Sequence, residues 1–285
     1  MRYEAPTTLA DAVRLMADDP EARPLAGGTD LLVQYHAGRR PSAFVDLKRI
    51  PELVEIEIDD DGLRLGAATT AAEIWEHPEI RRLWPGFAEA VHLVGSEQIQ
   101  GRASVGGNLC NGSPAADTTC PLIVNRAEAL IAGPGGERTI DVESFVTAPG
   151  ETALGPGEVL VAILMPRPEP RTADAYLRLI PRSEMDIAVA GAAVSVSVDE
   201  NGTCTAARVA VAAVAPTPLV VEEAADALIG TALDEEALEK AGAAASAAAR
   251  PIDDKRGPAD YRRRVVGVLT RRAAANAAAR AKELD

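Results

Sequence analysis

The chain has 285 residues, 47% of them apolar, and a formal net charge of −14. That length exceeds the usual single core and predicts two domains, or one domain with subdomains, and the acidic balance argues against the basic face that non-specific nucleic-acid or anionic-membrane binding requires. The N-terminus lacks the apolar core of a signal peptide and no run of roughly 18 apolar residues occurs, so a cytoplasmic protein without membrane insertion is expected.

In chain order, "TTLADAVRLMAD" places a Thr7 or Thr8 cap before apolar residues at helical spacing (Leu9, Ala12, Val13, Met16), predicting a helix that ends near Pro20. "RPLAG" and "AFVDLK" read as short strands, and "GGTDLLVQYHAG" between them turns tightly and continues as a helix. In "VEIEIDDDGLRLGAATT" the alternation of Val54, Ile56 and Ile58, a turn at Asp60-Asp61-Gly62 and then Leu63 and Leu65 predict a hairpin. Residues 71–93 are helical twice, with breaks at Pro78 and at Pro85-Gly86. "CPLIVNRAEALIAG" mixes helix and strand signals, "GPGGE" leads a second hairpin into "RTIDVESF", and "EVLVAILMP" reads as a strand. After the proline-rich charged hinge "PRPEPR" (166–171) come two long alternating strands joined at Asn201-Gly202. Helices follow in "PLVVEEAADALIG", closed by Gly230, in "DEEALEKAGAAASAAAR", and from about Pro258 to the end. The alanine-rich run 241–249 reads as close-packed helix, because alanine has the highest helix propensity. The expected layout is α+β, with a mixed unit over 1–170 (subdomains about 1–53 and 54–170) and an antiparallel sheet plus helices over 171–285.

Two glycine-rich stretches raise a functional question. "PLAGGTDLL" (24–32) leaves a strand, turns on Gly27-Gly28 and enters a helix, and "GRASVGGNLCNGSPAAD" (101–117) contains "SVGGN" and ends in a carboxylate. Successive glycines allow positive φ and close approach, so that consecutive N–H groups can bind an anion without lysine or arginine. Ser104 and Asn108 would add polar side chains, and Asp117, an acceptor only, suits a sugar hydroxyl better than a phosphate. Taken alone, each stretch reads more readily as a plain turn, and neither matches a Rossmann or Walker pattern. Composition and spacing therefore stop at a phosphate-containing ligand. The cysteines, Cys110, Cys120 and Cys204, form no CxxC pair and cannot supply the thiolates of an iron–sulfur cluster. His36, His77 and His92 lack metal-ligand spacing and are expected at the surface or in packing.

Taken in order, "PLAGGTDLL", "IQGRASVGGN", "SPAAD", "EVLVAILMP" and "YLRLIPRSEMDIA", with "YRR" opening the last helix, resemble the FAD-binding medium subunits of the molybdenum hydroxylases. That family includes carbon monoxide dehydrogenase and xanthine dehydrogenase. The resemblance implies a two-lobed FAD-binding domain of the p-cresol-methylhydroxylase/vanillyl-alcohol-oxidase type, followed by a smaller α+β domain. It implies FAD as cofactor, no catalytic side chain and no metal ligand. Its implied partners are a molybdopterin-containing large subunit and a small subunit with 2Fe-2S clusters, from which FAD collects electrons for an external acceptor.

By the same resemblance, Pro24, Leu25, Ala26, Gly27, Gly28, Thr29, Asp30 and Leu31 form the first phosphate loop, and Ser104, Val105, Gly106, Gly107 and Asn108 the second. Asp117 binds the cofactor's sugar, Leu160 packs near its adenine or ring system, and Arg178 takes the place of a basic FAD contact, often lysine. Val94 stands where some relatives carry an aromatic beside the isoalloxazine. Arg182 and Asp186 read as an ion pair leading into a strand, structural or functional. Arg262, Arg263, Arg264, Arg271 and Arg272 read as a solvated helix face or as a docking surface. The alternative function is an autonomous FAD-dependent oxidase or reductase of related fold, which usually carries a larger substrate domain.

Overall fold

A computed structural model describes residues 1–284, so the last residue of the expected second domain lies outside it. The chain opens with β1 (Arg2–Glu4), α1 (Leu9–Asp18), β2 (Arg23–Leu25), α2 (Leu31–His36) and β3 (Ala43–Asp46). The three strands form a parallel sheet in the order β1-β3-β2. Thr8 caps α1, its hydroxyl accepting the Asp11 amide at 3.2 Å. β3 is buried along its whole length, and it holds the exposed residues of β1 in a strand that local pattern does not announce.

Next come the hairpin β4 (Ile56–Ile58) and β5 (Gly62–Gly66), and then α3 (Ala71–Glu76), α4 (Pro78–Leu83) and α5 (Pro85–His92). Residues 71–93 thus form three helices where two were expected, because Pro78 and Pro85 begin helices. A first-turn proline gives up no helical hydrogen bond. Short helices α6 (Glu97–Gln100), α7 (Val105–Cys110) and α8 (Thr119–Val124) follow. The mixed signal of 120–133 resolves into α8 and then β6 (Glu128–Gly133), which turns into β7 (Gly136–Asp141). After the small hairpin β8 (Val146–Ala148) and β9 (Glu151–Thr152), β10 (Val159–Pro166) completes an antiparallel sheet ordered β4-β5-β10-β6-β7. Trp84, Phe87 and Phe145 fill the core between this sheet and the helices.

The remainder is an antiparallel sheet of β11 (Thr172–Leu179), β12 (Ala190–Val198), β13 (Cys204–Ala212) and β14 (Leu219–Val220), with α9 (Glu222–Asp226), α10 (Glu235–Ala248) and α11 (Ala259–Glu283). Both faces of this sheet are buried. Ala192, Val194, Val209 and Val211 pack under α10 and α11, while Tyr176, Ala193 and Ala210 join the core of the first unit. The expected alternation of β12 and β13 therefore separates two cores and does not separate core from solvent. The alanine-rich run is the contact face of α10: a Cβ on Gly242 would lie 2.6 Å from the Gly267 carbonyl oxygen, a crossing that only small residues allow. No helix among the described residues is long and apolar enough to cross a membrane.

The expected basic stripe on α11 divides. Arg262 is 4% exposed, and its guanidinium donates to Asp254 at 2.5 Å, the Val189 carbonyl at 2.9 Å and the Ala213 carbonyl at 3.1 Å. It is a structural tie. Arg263 pairs with Asp260 at 2.7 Å and Arg271 with Glu235 at 3.3 Å, which leaves Arg264 and Arg272 as the exposed remainder.

Asp174 on β11 joins the two units. It is 2% exposed; one oxygen accepts the Gly86 amide at 2.8 Å, and the other accepts the Phe87 amide at 2.9 Å and the Asn125 side-chain amide at 2.8 Å. Burial raises its pKa, against the pull of these donors. The carboxylate thus caps the first turn of α5 from the neighbouring unit. Asp174→Ala strands three buried donors and is expected to cost about 3 kcal/mol, with Asp174→Asn costing less, as read from urea unfolding midpoints at unchanged slope.

Candidate flavin site

The first glycine turn leaves β2 at Leu25, paired there with Asp46 of β3, and enters α2 at Leu31. Gly28 has φ +76°, a left-handed conformation that favours glycine. Gly27 is required for a different reason: a Cβ built on it would lie 1.8 Å from the carbonyl oxygen of Arg102. The backbone just ahead of the second turn therefore presses directly on the first. The amides of Gly27, Gly28, Thr29, Asp30 and Leu31 find no backbone acceptor among the described residues. Leu32 and Gln34 close the first turn of α2 on the carbonyls of Gly28 and Asp30, at 3.0 Å and 2.9 Å.

The second turn is the opening of α7. The Ala103 carbonyl accepts the Ala71 amide at 2.8 Å and Ser104 bridges to Thr70, so the segment lies against the start of α3. Ser104 is the helix cap, its hydroxyl accepting the Gly107 amide at 3.0 Å. Gly106 faces the protein, where a Cβ would come within 2.3 Å of the Ala67 carbonyl oxygen; Gly107 faces outward, and a Cβ there would meet only the Ser104 hydroxyl. Two side-chain bonds tie the neighbourhood together. Gln34 on α2 donates to Asn111 just after α7 at 3.1 Å, and Thr118 donates to the Asn108 side-chain oxygen at 2.7 Å.

Beyond Thr118, Asp117 is buried with its carboxylate on β11, where it accepts the Tyr176 hydroxyl at 2.8 Å and pairs with Arg178. Burial pushes the Asp117 carboxyl up to about 6, with Arg178 and Tyr176 pulling the other way. Two of the expected site residues, Asp117 and Arg178, thus contact each other. Leu160 on β10 is 3% exposed and belongs to the core cluster that also contains Val105 and Leu109, so the structure gives it a packing role. Arg182 and Asp186 pair at 3.1 Å, in the loop between β11 and β12. That loop, with Asp30 and Gly95, lines an open cavity of about 710 Å³ at the edge of the first turn.

Residues 1–168 match the family described as "FAD binding domain in molybdopterin dehydrogenase", and residues 175–277 match "CO dehydrogenase flavoprotein C-terminal domain". The chain belongs to the FAD-binding subunits of the molybdopterin dehydrogenases. The carbon monoxide dehydrogenase medium chain of Afipia carboxidovorans is 38% identical over 282 residues, covering 98% of this chain and 97% of that one. The xanthine dehydrogenase FAD-binding subunit of Escherichia coli O157:H7 is 33% identical over 282 residues, covering 98% and 96%. A chain in a solved structure of Cu,Mo-CO dehydrogenase superposes with a TM-score of 0.94 at 37% identity, over 98% of each chain.

FAD is the cofactor of this family, and the residues of this flavoprotein fit its diphosphate. The consecutive amides at Gly27–Leu31 have no backbone acceptor among the described residues, and Gly107 is open on its outer side, so both turns keep backbone that an anion could approach. At the second turn the Ser104 hydroxyl accepts the Gly107 amide and the Asn108 oxygen accepts the Thr118 hydroxyl, bonds that use acceptors only and leave the Ser104 O–H and the Asn108 NH2 as donors. Sequence reasoning missed Gln34, Asn111, Thr118 and Tyr176. Tyr176 carried a usable signal, since it lies two residues before Arg178 on a strand and so shares its face.

In this flavoprotein Gly107→Val fills the open side of the second turn. FAD content of the purified protein is expected to fall about tenfold, a loss of one good contact. The apo thermal midpoint should stay within a few degrees, because the new side chain points to solvent.

Proposed function

We propose that this chain is the FAD-holding electron-transfer subunit of a molybdenum hydroxylase complex. Electrons would arrive from the 2Fe-2S clusters of a small partner subunit and leave to an external acceptor, while a molybdopterin-containing large subunit performs the substrate chemistry. Residues 1–170 would hold the cofactor and residues 171–285 would brace it. The observation that carries this reading is the contact of two amide-rich turns in a chain whose match to flavoprotein subunits runs nearly end to end.

When bound, FAD supplies the exchange between single-electron and two-electron carriers. The protein's own residues bind and orient. The amides of Gly27–Leu31 and of Gly106, which have no backbone acceptor among the described residues, would donate to the diphosphate, which an acidic chain cannot attract through its overall field. The Asp117 carboxylate keeps acceptor capacity beyond its bonds to Tyr176 and Arg178, because two oxygens offer about four lone-pair sites, and it would take a sugar hydroxyl. Arg178 fixes the orientation of that carboxylate from β11 and so links the cofactor pocket to the second unit. None of these groups needs to be a nucleophile or a general base.

The test is reduction of the bound flavin. With its iron–sulfur and molybdopterin partners, the FAD-loaded chain should be bleached by the substrate of the complex; the chain alone should stay oxidised with the same substrate. Steady turnover by the isolated chain would favour the autonomous oxidase or reductase instead.

A further inference from the structure

The first turn is not free of cations, although its sequence lacks one. Lys48, just past β3, donates its ammonium to the Ala26 carbonyl at 2.8 Å and to Asp46 at 2.6 Å. Asp46 is 6% exposed and also accepts the Lys48 amide at 3.1 Å and the Tyr3 hydroxyl at 2.5 Å. Burial alone would raise its pKa, but the donors from Lys48 and Tyr3 bring it below the ordinary carboxylate range. Asp46 is thereby ionised and Lys48 is held by two acceptors.

The Ala26 carbonyl belongs to the same peptide unit as the Gly27 amide. In a trans peptide the C=O and N–H point in opposite directions, and the chain has no cis peptide bond. A carbonyl held by Lys48 therefore turns the Gly27 N–H away from the Lys48 ammonium, to the side where it finds no backbone acceptor among the described residues. Glycine on one side of this peptide makes rotation of the unit easy, so an orientation left to itself would be shared between states. We propose that Lys48, anchored by Asp46 and Tyr3, is a positioning residue that locks the Ala26–Gly27 peptide with its amide aimed at the cofactor diphosphate. It adds a positive charge behind that amide, which strengthens its polarity toward an anion. This rests on the FAD-binding reading above.

The experiment titrates the apo form of the full chain with FAD and, separately, with riboflavin, which has the ring but no phosphate. In Lys48→Met, the Kd for FAD is expected to rise about tenfold while riboflavin binds as in the unsubstituted protein. Lys48→Arg, which keeps a charged donor, should return FAD affinity to within about threefold. Tyr3→Phe leaves the Lys48–Asp46 pair in place and should lose less than Lys48→Met. The proposal is overturned if Lys48→Met binds FAD as tightly as the unsubstituted chain, or if FAD and riboflavin weaken together. An unsubstituted chain that takes up no FAD would sink the cofactor assignment itself, a different outcome from either.

Discussion

Everything at the candidate flavin site depends on one backbone contact, the Arg102 carbonyl seated where Gly27 would carry a Cβ. The two turns belong to different sheets: the first caps the parallel β1-β3-β2 layer, and the second opens a helix set against the end of β5. Between them run some seventy residues, with β3, the β4–β5 hairpin and helices α2 to α6, whose packing decides where Arg102 returns. The contact is van der Waals in kind and adds little energy of its own. Its value is geometric, because it sets the two turns side by side before any ligand arrives, and preorganised groups lose less entropy on binding.

The second unit enters this arrangement through two buried carboxylates with opposite duties. Asp174 caps α5 and holds three protein donors, so its work is assembly. Asp117 reaches the other way, from the first unit to Tyr176 and Arg178 on the same strand, and keeps some capacity unspent. β11 therefore braces the helical core with one residue and holds Asp117 with two others. Since its sheet is buried on both faces, β11 has little freedom to move, and Asp117 inherits that rigidity.

Much of this was legible in the sequence. The Thr8 cap, the turn after Asp60, the Gly27-Gly28 turn into a helix and the β12–β13 hairpin all follow from local chemistry that tertiary packing does not override. What escaped has a common cause. β1 is a short exposed strand whose partner is β3, and β11 interrupts its apolar pattern with a buried aspartate whose donors lie 88 and 87 residues away. Arg262 looked like solvated charge because nothing nearby in sequence reveals that Val189 and Ala213 present their carbonyls to it. At the site, the glycines were readable as turns, but which faces they left open was not. Gly106 faces Ala67 and Gly107 faces outward, a distinction that exists only once β5 and α7 are packed.

The same limit applies to charge. A count of −14 says that a phosphate must be held locally, and the turns do offer amides for that purpose. The count cannot say that one cation sits behind the first turn, because Lys48 comes 20 residues after Gly28 and arrives only through the parallel pairing of β2 with β3. Surface charges farther than about 8 Å act weakly through physiological salt. A lysine bonded to the carbonyl beside the anion site acts at contact and is only partly exposed to that screening. The acidic exterior and the anionic cofactor are thus compatible for a reason of distance: the repulsion is spread over a screened surface, and the attraction is concentrated in a few peptide units whose direction the fold has already set.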